Sequence, residues 1–404
     1  MSVVNIALLF LALPATLACA YLILLTLLSG APSVPPPSSR RLRFDVIVPA
    51  HNEEAVITRT VASLRSTNWP AELIRIWVVA DNCEDSTATL AEAAGARVLV
   101  RCDNERRGKG HALDFAFNNC YALGFADAVV VVDADTEVSI NLIEAFAARI
   151  ERGAHAVQAS YGILNPLASW RTSLITIAKA SFHIVRSRAR ERMQLSCGIR
   201  GNGWCLTTKV LRLVPFQAYS LTEDLEYGIT LGLSGYRVHY ADEAHANAEM
   251  AETGAIAGSQ RQRWEDGRFQ LIRAKTLPLL IAAVQRRSAI CLDLAIDLMV
   301  LPLSYVALNV AALSIAAFLV GRPMQNWLWI AFACVASLTI YVLRGWQLSG
   351  LGLKGLFVLA RAPLFVAWKL WVMLRQRESR GWVSTQRTRA EPTNPDSEHR
   401  RQEL

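Results

Sequence analysis

The sequence has no pair of closely spaced cysteines. Its eight cysteines are scattered over 404 residues, with no Cys-x-x-Cys spacing and no cluster of cysteine with histidine. Zinc modules and disulfide frameworks both depend on such spacing. The sequence therefore indicates neither, and we expect reduced cysteines that serve as ordinary packing residues.

Charged residues are missing from the N-terminal segment. Residues 3–29 carry no charge and form an apolar run that is long enough to cross a bilayer. A cleaved signal peptide is the alternative, but no basic segment precedes the run and the run is too long. We predict a retained membrane anchor over residues 1–30. A proline-rich linker over residues 31–43 ends in arginines, which favour the cytoplasmic side for the domain that follows.

Two further apolar runs, residues 298–320 and 327–343, predict a transmembrane hairpin within residues 276–345. Arginines before and after these runs favour cytoplasmic outer ends. Residues 351–374 are apolar but carry three cations, so we predict an interfacial or re-entrant helix over residues 346–375 and a cytoplasmic tail over residues 376–404. The net charge of +8 fits an anionic membrane surface better than nucleic acid, because the charge lies beside apolar segments.

Strand and helix signals alternate over residues 44–275, which predicts one cytoplasmic α/β domain. The expected strands are 44–48, 74–80, 96–100 and 129–132, and the expected helices are 55–66, a segment ending at 94, and 111–123. This alternation is typical of a mostly parallel, Rossmann-like sheet. Each strand ends in a polar loop on the same edge, so one cleft should collect residues 49–54, Asp81, Lys109, Asp133 and Asp135.

The stretch VVVVDADTEV places two carboxylates directly after the most apolar strand. Four consecutive valines indicate a strand that is buried on both faces. Asp133 and Asp135 repel each other unless a cation lies between them, and a hard divalent cation, Mg²⁺ or Mn²⁺, prefers such oxygen ligands. The alternative is an aspartate that caps the next helix beside a solvated one.

Six short motifs occur in an order that resembles a known enzyme family. They are PAHNEE, VVADNCEDST and RRGKGHAL in the loops, DAD after the fourth strand, and Thr222-Glu223-Asp224 followed by Gln260-x-x-Arg263-Trp264. Over residues 44–264 the chain resembles the membrane-integrated family-2 glycosyltransferases, which have a GT-A fold and include cellulose, chitin and hyaluronan synthases. The last two motifs mark that branch.

The resemblance implies a role for each residue of the cleft. Asp135 is the expected metal ligand, and Asp133 lies nearer the ribose and the donor sugar while sharing the metal. Asp81 accepts from the uracil ring; the alternative is a helix N-cap before Glu84. Lys109 contacts the diphosphate, the alternative being a solvated loop lysine. The remaining nucleotide-sugar contacts are Ala50, Glu53, Gln260, Arg263 and Trp264, where Trp264 facing the apolar core is the alternative.

Glycosyl transfer needs a base for the proton of the acceptor hydroxyl, and by motif position we expect Asp224 to be that base. The alternative has Thr222 as the N-cap of a helix, with Glu223 and Asp224 placed favourably for its dipole, and both readings are compatible. Glu223 is the next candidate for the base.

Two other segments belong to the acceptor side or to gating of the cleft. By the resemblance, Gly201, Asn202 and Trp204 should lie near the acceptor. In the segment GWVSTQR, Trp382, Thr385 and Arg387 correspond to a gating loop, although Ser384 stands where an apolar residue is usual. Residues 181–193 form a basic helix that either rests on lipid headgroups or is simply solvated.

These features predict an inverting membrane glycosyltransferase that uses a UDP-sugar to build β-linkages in an exopolysaccharide or oligosaccharide. The alternative is a single transfer to a membrane lipid, because about three spans are few for a polymer channel unless oligomerisation or export partners complete it. A scaffold subunit with an inactive domain is the third reading. The expected place is the inner (plasma) membrane, multi-pass, with the catalytic domain in the cytoplasm.

Overall fold

The computed structural model describes residues 3–250, 254–320 and 325–366, and for residues 254–263 the backbone alone. The strands are β1 Phe44–Ala50, β2 Ile74–Asp81, β3 Arg97–Arg101, β4 Ala128–Val131, β5 Thr136–Val138, β6 Ala156–Ile163, β7 Trp204–Thr207 and β8 Val238–Ala248. The helices are α1 Val3–Leu27, α2 Ile57–Arg65, α3 Thr87–Ala93, α4 Lys109–Leu123, α5 Leu142–Ile150, α6 Trp170–Lys179, α7 Arg186–Arg192, α8 Thr208–Leu213, α9 Glu223–Leu233, α10 Gly254–Gln285, α11 Ala289–Met299, α12 Leu303–Val320, α13 Gln325–Leu348 and α14 Gly352–Leu359.

The eight strands form one sheet in the order β3-β2-β1-β4-β7-β6-β8-β5. The four predicted strands are confirmed, and they form its parallel half, with β1 between β2 and β4. Beyond β4 the sheet becomes mixed, because β7 pairs antiparallel with both β4 and β6 while β8 runs parallel to β6. The reversal occurs beside β4, so its carboxyl end, which carries the two aspartates, lies next to the start of β7.

Both faces of the sheet are covered, as the run of valines predicts. Val46 and Val130 pack on one side with α2 and α5. Ile47 and Val131 pack on the other with α4 and α9. Because alternate residues of a strand point to opposite faces, a strand covered on both sides needs apolar residues at every position.

Among the described residues, three helices are long and apolar enough to cross a membrane, namely Val4–Leu27, Leu303–Val320 and Gln325–Leu348. They pack together through a shared apolar cluster that includes Leu8, Val310 and Cys334. The predicted hairpin began too early, because residues 298 and 299 belong to α11, and the chain is extended at Val300. Pro302 disfavours helical geometry in the residue before it, which separates α11 from α12.

Two predicted boundaries differ from the structure. Helix α10 runs without interruption from residue 254 to residue 285, so the domain boundary predicted at 275 falls inside a helix. The predicted interfacial segment contains the short helix α14, and its residues from 367 onward lie outside the described residues.

The basic segment 181–193 is neither solvated nor spread on a surface. It comprises a π-helical turn, Ala180–Val185, and α7. Arg186 and Arg190 are 2% and 0% exposed, and they form ion pairs with Asp297 and Asp293 of α11. Both sequence readings of this segment are therefore wrong, because each lacked the acidic partners that lie about 100 residues further along the chain.

A buried ion pair anchors the start of the sheet. Arg75 of β2 donates through Nε and Nη2 to the two oxygens of Asp45 at 2.7 and 2.8 Å, and Trp77 Nε1 donates to the same carboxylate at 3.0 Å. Asp45 is fully buried, whereas the pair between Arg43 and Asp127 is exposed on both sides.

We predict that Asp45→Ala destabilises the protein by about 3–5 kcal/mol, because it leaves the Arg75 charge and the Trp77 donor without their acceptor. Asp127→Ala is the matched control and should cost at most about 1 kcal/mol. Thermal unfolding of the purified protein in detergent measures both. Equal shifts of the unfolding temperature would contradict the assigned difference between buried and exposed pairs.

Candidate active site

Carboxylates and cations gather at one edge of the sheet. The edge is formed by the ends of β1, β2 and β4, by the loop that precedes β7, and by the N-termini of α4 and α9. Asp133 and Asp135 come from the end of β4, Lys109 begins α4, and Glu223 and Asp224 begin α9. The predicted convergence of the β-strand loops is therefore observed.

Asn202 holds the loop that carries the two aspartates. Its side chain is fully buried; Oδ1 accepts from the backbone N–H of Asp133 at 3.0 Å, and Nδ2 donates to Thr136 Oγ1 at 2.6 Å. The alternative of a helix cap is wrong, since the next helix, α5, has Asn141 at its N-cap. Asn202 thus fixes the direction of the carboxylate pair, and its expected place near the acceptor stays a prediction.

Lys109 joins the carboxylates from β4 and α9. Its Nζ lies 2.6 Å from Asp133 Oδ1 and 3.4 Å from Glu223 Oε1, and it donates to the carbonyl of Gly201 at 2.9 Å. Burial acts to lower the pKa of Lys109, but the two carboxylates outweigh burial and raise it. The amine thus stays charged, and the reading of a solvated loop lysine is wrong.

Burial raises the pKa of Asp133; Lys109 opposes this effect and Asp135 adds to it. Asp135 therefore repels Asp133 even with Lys109 present, which is the repulsion expected from the sequence. Among the residues that the structure describes, no group of three or more His, Cys, Asp or Glu side chains could hold a metal ion. Two carboxylates alone nevertheless fit Mg²⁺ or Mn²⁺, which commonly bind one or two carboxylates together with phosphate oxygens and water.

Asp224 is the second residue of α9, whose N-cap position is Thr222, with no hydrogen bond from the Thr222 side chain to the helix. Burial raises the pKa of Asp224, Lys109 opposes this and Asp133 adds to it. Gly201 lies against the carboxylate: a Cβ at this position would be 3.4 Å from Asp224 Oδ2, and its φ of +93° favours glycine. The predicted base therefore lies beside the predicted acceptor loop.

Asp81 lies at the end of β2, where an ion pair holds it. Arg101 Nη1 donates to Asp81 Oδ1 at 2.6 Å, and His51 Nδ1 lies 2.7 Å from the Asp81 carbonyl oxygen. The N-cap of the next helix, α3, is Ser86, so the alternative of Asp81 as a cap is wrong. Ala50 ends the neighbouring strand, and the N–H of Glu53 donates to Thr87 Oγ1 at 2.8 Å.

Trp264 is 41% exposed, which overturns the alternative that it faces the core. One turn later Gly267 packs so closely on Thr222 that a Cβ would lie 2.7 Å from Thr222 Cγ2, and α10 thereby passes the N-terminus of α9. The side chains of Gln260 and Arg263 lie outside the described part of the chain, as do Trp382, Thr385 and Arg387.

Trp204 does not line the cleft. It is 1% exposed and packs in the core beside Phe117, with ring centroids 6.3 Å apart. The expectation that it lies near the acceptor is therefore wrong. As the first residue of β7 it packs in the core on the α4 side of the sheet, whereas Gly201 and Asn202 precede the strand and contact Lys109 and the Asp133 loop.

Lys179 and Tyr161 belong to this region, although no motif identified them. The Lys179 amine lies 3.3 Å from the centroid of the Tyr161 ring. Burial lowers its pKa to about 7, even though Asp135 and Asp133 act to raise it. A lysine at the end of α6, just before the π-helical turn, is a weak signal in a sequence, since its closeness to the carboxylates arises only in the folded chain.

The sequence is similar to known glycosyltransferases over a little more than half of the chain. Residues 41–267 match the family described as Glycosyltransferase like family 2. The chain is 25% identical over 234 residues to the probable glycosyltransferase YdaM of Bacillus subtilis, covering 56% of this chain and 55% of that protein. It is 27% identical over 232 residues to the beta-monoglucosyldiacylglycerol synthase of Trichormus variabilis, covering 56% and 48%. The chain thus spans about half the length of these curated relatives.

A solved structure resembles most of the fold. The mannosyltransferase PcManGT from Pyrobaculum calidifontis, solved in complex with GDP-Man and Mn²⁺, matches 84% of this chain and 98% of its own, with a TM-score of 0.50 and 20% identity. At that identity the likeness supports the fold, which is the predicted GT-A fold with apolar helices near both ends.

We predict that Asp135→Asn weakens Mn²⁺ binding in the presence of UDP by about tenfold or more, because an amide lacks the charge of the carboxylate ligand. Asp85→Asn is the control. Asp85 lies in the loop after β2, as Asp135 lies in the loop after β4, but its carboxylate accepts hydrogen bonds from the backbone N–H groups of Thr87 and Glu54. This substitution should therefore leave Mn²⁺ binding unchanged. The electron paramagnetic resonance signal of free Mn²⁺ gives both affinities. Wild-type affinity in Asp135→Asn would remove Asp135 from the metal site.

Proposed function

The chain belongs to the Glycosyltransferase like family 2, and from that premise we propose that it is an inverting glycosyltransferase that uses a UDP-sugar at a membrane surface. The observation that carries this proposal is the convergence of Asp133, Lys109 and Asp224 on one cleft. This cleft combines groups for a diphosphate leaving group with a carboxylate suited to be a base.

The donor occupies the half of the cleft that β1, β2 and α4 form. Asp81 accepts from the uracil ring, with Arg101 holding the carboxylate in place. Lys109 stabilises the negative charge that gathers on the diphosphate as the sugar–phosphate bond breaks. Ala50 and Glu53 in the first loop, and Gln260, Arg263 and Trp264 in α10, complete the donor contacts in this proposal.

Asp135 and Asp133 would hold Mg²⁺ or Mn²⁺. A divalent ion bound there would neutralise charge on the diphosphate oxygens.

The acceptor hydroxyl attacks the anomeric carbon of the donor sugar from the side of Asp224. As the new carbon–oxygen bond forms, the bond from that carbon to the diphosphate breaks, and its electron pair leaves with UDP. The hydroxyl proton passes to the carboxylate of Asp224. A single displacement of this kind inverts the anomeric carbon and gives a β-linkage from an α-linked donor.

The acceptor that we propose is a membrane lipid. The elements beside the acceptor side, α6 and the π-helical turn, pack directly against α13, where Gly345 leaves no room for a Cβ next to Ser181. The structure has three candidate spans among its described residues, few for a polymer channel. The beta-monoglucosyldiacylglycerol synthases among the relatives point the same way.

An exopolysaccharide or oligosaccharide product stays a prediction of the sequence, as do oligomerisation and export partners. The observation in its favour is the combination of the Thr222-Glu223-Asp224 and Gln260-x-x-Arg263-Trp264 motifs. We also propose the inner (plasma) membrane as the place, with residues 44–275 in the cytoplasm between the anchor and the hairpin.

A screen of radiolabelled UDP-sugars with the purified protein and membrane lipids tests the proposal. We expect one UDP-sugar to give a labelled product that extracts into organic solvent and contains a single added sugar. A labelled product of high molecular weight would support the polysaccharide reading instead. No transfer from any nucleotide-sugar in the presence of Mg²⁺ and Mn²⁺ would contradict the proposed function.

We predict that Asp224→Asn keeps UDP binding but lowers transfer by about 10²- to 10⁴-fold, because Asn cannot accept the proton. In the wild type the ionised carboxylate is the active form, and its pKa is raised by burial. Activity should therefore fall as the pH drops through that raised value, above the value of about 3.9 for an exposed aspartate. The pH profile of kcat/KM measures this limb.

Glu223→Gln is the matched control for the base. Because Glu223 contacts Lys109, this variant should raise the donor KM yet retain transfer. If Glu223→Gln abolishes transfer and Asp224→Asn does not, the base is Glu223.

A further inference from the structure

A buried ionic cluster lies between the catalytic domain and the membrane helices. We call it the arginine cluster; its members are Arg186, Arg190, Arg200, Arg268, Asp293 and Asp297, each at most 8% exposed. Arg186 and Arg190 also contact tyrosines of the candidate spans, Tyr341 of α13 and Tyr21 of α1. The cluster therefore connects α7, α10 and α11 to two membrane helices.

Asp297 is the centre of the cluster. Its Oδ1 lies 2.8 Å from Arg186 Nη1 and 2.7 Å from Arg190 Nη2, and its Oδ2 lies 3.4 Å from Arg200 Nη2. Burial acts to raise the pKa of Asp297, but the surrounding guanidinium groups outweigh it and hold the pKa well below its ordinary value. The carboxylate is thus ionised and shared among three arginines.

Arg200 is the member of the cluster that reaches toward the active site. Its Nε donates to the carbonyl of Cys197 at 2.8 Å, and its backbone N–H donates to Gln158 Oε1 at 2.8 Å. The same Gln158 side chain donates through Nε2 to the carbonyl of Asn202 at 2.7 Å. These contacts fix the backbone on both sides of Gly201.

The two residues that follow Arg200 contact the reacting region directly. The Gly201 carbonyl accepts from Lys109, and a Cβ added at Gly201 would lie 3.4 Å from Asp224 Oδ2. Asn202 orients the loop of Asp133 and Asp135 through the Asp133 N–H. A shift of Arg200 would therefore reach the diphosphate contact, the base and the carboxylate pair at the same time.

We propose that Asp297 is a positioning residue for the transfer reaction, acting through Arg200 on the segment 200–202. A carboxylate in the helix that leads into the membrane hairpin sets the placement of groups in the cleft without touching substrate. The contacts between the catalytic domain and the membrane helices therefore influence the positions of the catalytic groups. The inference rests on the proposed function and deepens it.

Asp293 supplies a matched control one turn earlier on α11. It is also buried, and it accepts from Arg190 Nε at 2.8 Å and from Tyr21 at 2.7 Å. Within the described residues, no hydrogen bond or ion pair joins Asp293 to Arg200. Loss of either carboxylate leaves a buried arginine with less compensation and should lower stability. Loss of Asp297 alone should disturb the segment 200–202.

The experiment compares Asp297→Asn with Asp293→Asn in the full-length protein. We expect both to lower the unfolding temperature, but only Asp297→Asn to lower kcat, by about 10- to 100-fold, because small displacements of reacting groups have effects of this size. Asp293→Asn should keep kcat within about twofold of the wild type. Equal loss of kcat in the two variants would overturn the inference and leave the cluster a purely structural role.

A double-variant cycle identifies the route. If Asp297 acts through Arg200, then Asp297→Asn combined with Arg200→Met should lower kcat no more than the larger single effect. Additive losses would contradict the proposed route. If Asp297→Asn does not fold, Arg200→Met and Arg200→Lys carry the test: we expect a low kcat in the first and partial recovery in the second, and a wild-type kcat in Arg200→Met would overturn the inference.

Calorimetry of UDP with Mn²⁺ separates this inference from the proposed function, because it requires no turnover. Weaker binding in Asp297→Asn but not in Asp293→Asn supports the positioning role even if no acceptor has been found. The opposite outcome is that the wild type transfers sugar and that Asp297→Asn and Asp293→Asn have equal UDP affinity and equal kcat. This outcome would support the proposed function and reject the positioning role.

Discussion

Four carboxylates meet at one edge of the sheet, and the charge of Lys109 allows three of them to coexist there. Asp133, Glu223 and Asp224 all raise the pKa of this lysine, and its amine contacts the first two directly. Like charges in a partly dehydrated site repel strongly, so this edge of the domain depends on the cation at the start of α4. Asp135 adds a fourth negative charge, which acts to raise the pKa of Asp133, and it is the residue that we propose as the metal ligand.

Both halves of the sheet contribute residues to the cleft. The parallel half provides Asp81 and the aspartates after β4, while the mixed half provides the loop before β7. Asn202 joins the halves, because its side chain binds the loop after β4 while its backbone leads into β7. The place where the sheet changes direction is therefore also the place where ligand groups converge, as is common in α/β folds.

A second centre of charge is the arginine cluster, in which cations are in excess, whereas carboxylates are in excess around Lys109. In the arginine cluster, cations outnumber the two aspartates that compensate them, and tyrosines from two candidate membrane-spanning helices contact the same arginines. Buried charges are costly unless they are paired, so the candidate membrane-spanning helices and the α/β domain stabilise each other through these contacts. This dependence fits our proposal that the acceptor side of the domain faces a membrane.

The amino-acid sequence by itself determined the elements whose signals are local. The apolar runs identified all three candidate spans, and the strands of the parallel half were predicted to within two residues at each end, because burial on both faces demands continuous apolar sequence. The carboxylates at the strand ends followed from the same reasoning, since parallel strands end at one edge.

Only the tertiary structure decided which charges meet. From the sequence, Arg186 and Arg190 belong to a solvated or lipid-facing helix, yet in the structure they are buried and paired with Asp297 and Asp293. Trp204 was expected at the acceptor, yet its position at the start of β7 places it in the core. The environment of a charge or a ring depends on partners far along the chain, and local periodicity carries no information about them.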